Sequence, residues 1–533
     1  MMNTRAQPVA VYRRIGARWL GGGGSVLALA VLLGPYIALG VAVASGHYGE
    51  GHGVRQAFPY SGRQLLLLAY SLLFSGAVAG GALLLGVGCA LKLRSMPRLG
   101  SIFLAALPVL IAVPVYLHGL AWTACLASVA GGLPLRGWWG SGWVEVMALL
   151  PLATGIALVG LRAVDREQVE AASLHQSDFR VFRRIELPLV MPMLLAGFGL
   201  LFLISLLDYN IPSLFGVNVY AMEIFTGYSL DGNPTAAVVT ALPLIVAAAA
   251  VMMLGLARAR LAASTPLFRR ASVYRRECWP VWLRIAQWIA LALLLAQAVV
   301  PSAGMLVMTG AARAWAQAMM SARIEIGTTA AVAGMVLLLG LPLALLAAGP
   351  LSRADGAGKV WWALLCLPFA MPAPLTGIGA IHLSAFGSRL PFDTGPFLPV
   401  LVNLARFVPV AAFACYAWQR RVDPGLLEAA RLYQRTPLRG LLDVRLPLYL
   451  PGLLLAGVLL LTLTAGELGA TLLVAQPGAP TLMIRLYNLL HYGASRDVAA
   501  LCLTLMAGAG IAGALALWGI KARPRFGGMA NEG

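Results

Sequence analysis

Long apolar windows recur along this chain, separated by short polar breaks. About 20 consecutive apolar residues cross a bilayer as a helix. Twelve windows approach that length, near 20–46, 65–91, 101–127, 142–161, 189–214, 236–257, 281–306, 325–348, 361–385, 397–418, 448–473 and 497–520. Lipid offers no partner to an open backbone group, so each window is expected to be helical. The pattern predicts an all-α polytopic membrane protein with about 12 transmembrane helices.

The breaks differ in charge. One set carries Lys92, Arg94 and Arg98, then Arg162, Arg166, Arg180, Arg183 and Arg184. The same set continues through Arg258–Arg276, Arg353 and Lys359, Arg420–Arg445 and Lys521–Arg525. The alternate set holds only Arg55, Arg63, Arg136, Arg313, Arg323, Arg389, Arg485 and Arg496. With Arg5, Arg13, Arg14 and Arg18 the first set is more than three times larger, which assigns it, and both termini, to the cytoplasm. The first apolar stretch, of roughly 25 residues, exceeds the 7–15 of a cleaved signal core. It reads as an uncleaved first helix. The basic stretch 258–279 reads as a cytoplasmic linker whose arginines lie against anionic lipid headgroups.

Composition sharpens the class. Of 533 residues, 60% are hydrophobic and 11% charged, and mean hydropathy is +0.82. A soluble domain has about 25% charged residues. The net charge of +19 does not indicate nucleic acid, because the basic residues sit in short clusters between apolar runs and no soluble basic domain carries them. Cys89, Cys125, Cys278, Cys366, Cys415 and Cys502 form no CxxC pair, and most lie in apolar runs as small buried hydrophobes. Neither a disulfide framework nor a metal site is expected, and no cofactor is. No GxxxxGK[ST] loop is present, so ATP hydrolysis is not expected in this chain.

The strongest signal is internal repetition. Residues 169–188 read VEAASLHQSDFRVFRRIELP and residues 427–447 read LEAARLYQRTPLRGLLDVRLP. Each has Glu-Ala-Ala, a Gln six residues after the Glu, a closing Leu-Pro and a long apolar run behind it. Pro114 and Gly119 correspond to Pro372 and Gly377, and aligning Pro188 with Pro447 sets Asp208 against Glu467. The chain therefore reads as two parallel six-helix halves with a pathway at their interface. The expected boundaries are 1–60 (N-terminal segment and first helix), 61–257 (first repeat), 258–320 (linker and seventh helix), 321–520 (second repeat) and 521–533 (tail).

These loops resemble the cytoplasmic EAA loop of type I ABC importer permeases, whose pattern is E-A-A-x3-G-x9-I-x-L-P. Glu428, Ala429, Ala430, Val444, Leu446 and Pro447 fit the spacing. Glu170, Ala171, Ala172, Ile185, Leu187 and Pro188 fit it one residue shorter. Gln176 and Gln434 stand where the family has Gly, which questions the sharp turn placed there. The resemblance implies that each loop forms a short helix docking on a separate ABC ATPase subunit, present in two copies. It further implies a periplasmic solute-binding protein on the other side and a bacterial inner-membrane location. Glu-Ala-Ala favours helix, and Asp165 and Asp423 stand where a cap is wanted. An amphipathic helix lying in the headgroup layer is the plainer reading of either loop alone.

Few ionisable groups fall inside the windows, and such groups are functional candidates. Asp208 and Glu467 follow the loop prolines by about 20 residues, roughly 30 Å along a helix, at the far mouth of the pathway. There they form either a negative ring that favours a cation or a pair of helix-end carboxylates facing water or the binding protein. Acids at mid-span are expected to be missing, which argues against the runner-up, an ion-coupled secondary transporter. Clustered catalytic side chains of a membrane-embedded enzyme are not seen. His118 is a pathway candidate, but both His118 and His382 read first as packing residues. Asn403 and Arg406 read as bundle-internal hydrogen-bonding groups. Arg485, Tyr487, Asn488 and His491 suggest a short periplasmic helix. The fused halves and the segment GELGATLLVAQPGAPTLMIRLYNLLHYG resemble the ferric-iron branch of the family most, with thiamine, polyamine, phosphonate and sulfate/molybdate branches near it.

Overall fold

The computed structural model describes residues 22–45, 60–111, 113, 115–129, 136–263, 279–310, 312–353, 355–386, 397–423, 425–428, 440–476, 478–491 and 495–521. All regular structure among them is helical. A leading helix α1 (Gly22–Ala44) precedes the first half: α2 (Gly62–Arg94), α3 (Pro97–Ile111), α4 (Val115–Val129), α5 (Gly137–Ala163), α6 (Arg166–Ser173), α7 (Asp178–Val181), α8 (Leu187–Leu207), α9 (Asn210–Leu214), α10 (Tyr220–Asp231) and α11 (Pro234–Ala263). A second leading helix α12 (Val281–Thr309) and α13 (Ala312–Ser321) precede the second half. That half comprises α14 (Arg323–Ala348), α15 (Gly356–Ala370), α16 (Ala373–Phe386), α17 (Phe397–Gln419), α18 (Leu446–Ala465), α19 (Thr471–Val474), α20 (Leu482–His491) and α21 (Ser495–Lys521).

Among the described residues ten helices are long and apolar enough to cross a membrane, and α15 with α16 makes an eleventh crossing bent by 104°. The protein is thus an all-α multi-pass membrane protein. Two of the twelve expected windows are broken. The window 101–127 contains α3 and α4, of 15 residues each. Each is about 22 Å long, shorter than the hydrocarbon core. The window 361–385 breaks between Ala370 and Ala373. Pro114 and Pro372 mark the two breaks, since proline removes a donor and turns the preceding residue away from helix. The windows 189–214 and 448–473 also end early, at Leu207 and Ala465. In the first, Asp208 Oδ1 accepts the Asn210 backbone N–H at 2.9 Å, which turns the chain out of the helix.

The repeat extends to individual contacts. Ser71 Oγ in α2 accepts the backbone N–H of Tyr220 at 2.9 Å, and Thr329 Oγ1 in α14 accepts that of Leu482 at 2.8 Å. Each hydroxyl thereby caps the start of the short helix that follows the long span. Arg63 in α2 pairs with Glu223 in α10, and Glu325 in α14 pairs with Arg485 in α20. Both pairs join residues 160 apart, with the charges exchanged.

The leading helices cross between halves. Ala28 and Leu32 of α1 sit in the core of the second half with Val336, Ala344 and Val408. Ala290, Leu291 and Leu294 of α12 sit in the core of the first half with Cys89 and Leu150. Small residues permit the approach: a methyl group on Gly379 would lie 2.1 Å from the Pro35 carbonyl oxygen. One polar contact orients each crossing. The Tyr36 and Thr376 hydroxyls lie 3.0 Å apart, and Gln297 bonds His118 Nδ1 at 2.8 Å and accepts from Trp122 Nε1 at 2.7 Å. Such bonds contribute about 0.6 kcal/mol on average inside membranes, so apolar packing holds the crossings and the bonds fix their register.

Candidate functional site

A cavity of about 1920 Å³ lies between the halves. Its wall includes Asp165, Glu167, Glu170 and Arg421 at the face that carries the repeated loops. Asp208, Tyr209, Arg406 and Glu467 line its other end.

The first loop builds its face of the cavity from local rules. Asp165 Oδ1 accepts the Glu167 N–H at 3.1 Å and starts α6, the Glu-Ala-Ala helix. Glu170 and Ala171 are exposed and Ala172 is partly buried. Gln176 is exposed between α6 and α7. Its N–H returns to the Ala172 carbonyl at 3.1 Å. No described residue other than glycine has positive φ, so the turn at Gln176 does not require the family's glycine. The chain then passes through a π-helical turn, Phe182–Glu186, into α8, with Leu187 partly buried and Pro188 exposed at its start. Proline fits there because the first helical N–H groups have no intrahelical partner.

The second loop repeats the outline. Asp423 Oδ1 accepts the Gly425 N–H at 2.9 Å, and Glu428 is exposed on the helical turn that follows. Ala429, Ala430 and Gln434 lie outside the described residues. A second π-helical turn, Gly440–Arg445, leads into α18 with Leu446 exposed and Pro447 partly buried. π-turns are rare and concentrate at functional positions, and here one occurs at the same place in each half.

A buried ion pair ties the first loop to the bundle. Arg94, at the end of α2, directs Nη1 to both oxygens of Glu186 at 3.0 Å. The two side chains are 16% and 3% exposed, and both line the cavity.

At the far end the pseudo-equivalent acids have different surroundings. Glu467 is buried and saturated. It pairs with Arg406, accepts the N–H groups of Ala470 at 2.9 Å and Thr471 at 2.8 Å, and accepts the Thr471 hydroxyl. Asp208 accepts from the Asn210 backbone and side-chain amides, both at 2.9 Å. The two acids therefore do not make an open ring of like charge, because Arg406 of α17 stands with Glu467. The Tyr209 hydroxyl donates to the Gly469 carbonyl at 3.0 Å, joining the first half to the second beyond the acids. Gly469 permits this approach, since a Cβ there would sit 3.3 Å from the Tyr209 ring.

One acid within a span, Glu145, was not among the candidates. It sits inside α5, 2% exposed, and Oε2 accepts the Ser205 hydroxyl at 2.5 Å. The residue was visible in the run WVEVMALLP, and an acid inside an apolar window was the signal to follow.

Residues 82–262 match the model of the binding-protein-dependent transport system inner membrane component family. The chain is 33% identical over 144 residues to the putative 2-aminoethylphosphonate transport system permease protein PhnV of Salmonella typhimurium, covering 26% of this chain and 53% of that one. It is 26% identical over 163 residues to the putrescine transport system permease protein PotI of Escherichia coli K12, covering 30% and 58%. It is 30% identical over 169 residues to the putative permease PhnU of Salmonella typhi, covering 30% and 58%. The chain thus spans a little over half the length of the curated relatives it matches.

Within the matched residues 82–262 fall Glu170, Gln176, Pro188, Asp208 and Glu145. His118 lies among them too, buried away from the cavity wall and bonded to Gln297 of the crossing helix α12. His382 is buried on α16. Asn403 donates to the Pro399 carbonyl one turn back, at 2.7 Å. Arg485 and Tyr487 lie on α20, where Arg485 pairs with Glu325. Cys89, Cys366, Cys415 and Cys502 are buried and unbridged. Among the described residues no three His, Cys, Asp or Glu side chains converge as metal ligands would.

Proposed function

We propose that this chain is the permease of a binding-protein-dependent ABC importer, its two halves enclosing one translocation pathway. One observation supports this above the others: the Glu-Ala-Ala segment occurs twice, each copy preceded by a capping aspartate and followed by a π-turn, and the first copy lines one end of the inter-half cavity. In this reading that end is cytoplasmic, as are both termini, and the membrane is the bacterial inner membrane. Glu170 to Pro188 and Glu428 to Pro447 are the docking segments for two copies of a separate ATPase, and closure of the ATPases draws the segments together. A solute-binding protein delivers to the opposite side. Hydrolysis occurs in the ATPase, and this chain contributes no catalytic residue.

The reading is tested by charge reversal at both loops, Glu170→Lys with Glu428→Lys, in vesicles reconstituted with the ATPase and binding protein. ATP-dependent uptake is expected to fall to background while ATP hydrolysis persists. Normal uptake at normal expression would refute the coupling role. Glu145, buried within a span, favours a second reading as an ion-coupled carrier. Vanadate-sensitive uptake that requires ATP separates the two.

For the solute we take the named relatives as the guide. 2-Aminoethylphosphonate and putrescine are both small organic solutes with a primary ammonium group, and that class is the one proposed. Iron(III) is the second reading, supported by the resemblance of the segment from Gly466 to Gly493. The identity of the solute that co-purifies with the binding protein decides between them.

A further inference from the structure

The first loop is held by a frame of aromatic rings that the second loop does not repeat in sequence. Phe179 of α7 meets Trp282 in the first turn of α12, with ring centroids 5.8 Å apart and planes at 81°. Phe182, which opens the π-turn, meets Trp279, just ahead of α12, at 5.7 Å and 81°. Both are edge-to-face contacts, an arrangement that ring quadrupoles favour. Trp279 is buried with the core of the first half. Lys92 Nζ lies 4.0 Å from the centre of the Trp288 ring, and Arg94, on the same end of α2, binds Glu186. The entry of α12, the end of α2 and the π-turn therefore close a triangle. Aligning Pro188 with Pro447 sets Leu438 and Leu441 opposite Phe179 and Phe182, so the second loop has no ring to offer at either position.

α12 carries this frame across the membrane. From Trp282 to Met305 it runs about 35 Å at 1.5 Å per residue. It stays helical across Pro301 as far as Thr309. Along the way Gln297 bonds His118 and Trp122 of α4. At its far end Met305 is buried in one cluster with Leu117 of α4, Ala499 and Cys502 of α21, and Leu468. Leu468 stands between Glu467 and the Gly469 carbonyl that takes the Tyr209 hydroxyl, at the far end of the cavity. A single helix thus touches the first loop at one end and the far wall of the second half at the other. Close-packed elements move as units and pass displacement on.

We infer that Trp279 and Trp282 are positioning residues that make α12 a lever from the first loop to the far end of the pathway. The inference rests on the importer reading above and adds an asymmetry to it. A pull on the first loop moves the second half as well as the first, through ring contacts that the second loop's sequence cannot make.

The test uses the full chain with its ATPase and binding protein in proteoliposomes. Phe179→Leu with Phe182→Leu gives the first loop the residues of the second. Trp279→Leu with Trp282→Leu removes the same contacts from the α12 side, away from the docking segment. Each ring pair contributes roughly two- to tenfold to the ratio of engaged to free states, so either double variant is expected to lower the solute moved per ATP at least about fivefold. Assembly and ATP hydrolysis are expected to persist. Combining all four substitutions is expected to add no further loss, because both pairs of changes remove the same contacts. Trp279→Phe with Trp282→Phe keeps the rings and is expected to retain coupling within about twofold. A packing role alone would lower the amount of folded complex and leave the solute moved per ATP unchanged. Wild-type coupling in both Leu variants, additive losses in the fourfold variant, or a Phe variant as uncoupled as the Leu variants would each overturn the lever. Hydrogen exchange on the chain alone in nanodiscs tests the clamp without the partners. Phe179→Leu with Phe182→Leu is expected to speed exchange over 284–291 in α12, and unchanged exchange there would overturn it. Wild-type vesicles without ATP-dependent uptake would refute the importer reading, and the exchange measurement would then decide the clamp by itself.

Discussion

The Arg94–Glu186 pair offers the sharpest quantitative test of how the first loop is anchored. Glu186→Gln removes the negative charge with little change of shape and leaves the guanidinium facing a neutral amide. Breaking a buried ion pair by deleting one partner costs about 3–5 kcal/mol. Glu186 is 3% exposed and Arg94 16%, and both line the cavity between the halves. The lower end of that range applies, about 3 kcal/mol, or roughly two decades in the folded-to-unfolded ratio. Arg94→Gln alone should cost a similar amount, and the double variant should recover about 2 kcal/mol of their sum, because it leaves no uncompensated charge. The assay is a double-mutant cycle from SDS-unfolding titrations in mixed micelles, with hydrogen exchange across α6 and α7 to locate the loosening. Single variants within about 0.5 kcal/mol of wild type, or a cycle with no coupling, would refute the claim that this pair fixes the loop to the bundle.

Two further outcomes follow from the repeat and the crossing helices. Glu325→Gln should destabilise more than Glu223→Gln, because Arg485 is 26% exposed and Arg63 is 67% exposed. An exposed pair is worth at most about 1 kcal/mol, and equal midpoints for the two variants would contradict the ranking. Gly379→Ala should push α1 off α16, since the new methyl meets a backbone oxygen that no rotamer change can move. A loss of about 1–3 kcal/mol is expected for overpacking, read as a lower SDS midpoint with faster exchange in α1. An unchanged midpoint would mean that α1 does not pack as described.

Much of this architecture was legible along the chain, for reasons that can be named. Hydropathy marks a span because lipid contact is a property of the segment itself, and the Glu-Ala-Ala loops are short enough for a repeat to survive in local sequence. The breaks in α3–α4 and α15–α16 were legible only through Pro114 and Pro372, because the apolar run continues across both. The crossings of α1 and α12 left no trace in hydropathy, which registers burial but not the identity of the partner. Asp208 and Glu467 align in the repeat, yet their inequality depends on Arg406, sixty-one residues before Glu467 and on another helix. Such a pairing is tertiary information, and no pattern within either acid's own window carries it. Glu145 is different: its position was readable, and only its partner Ser205, sixty residues on, required the fold.

The exchange of leading helices bears on how the polypeptide is made. Tyr36 and its partner Thr376 are 340 residues apart. When α1 enters the bilayer, the groove that will receive it has not yet been synthesised. The first half must wait in the membrane with that helix unattached and with its own groove for α12 unfilled, until the ribosome has delivered most of the second half. Maturation is therefore a single late event for the whole chain, and a nascent product halted within the linker would leave one unfilled groove and one unattached helix for quality-control proteases to find.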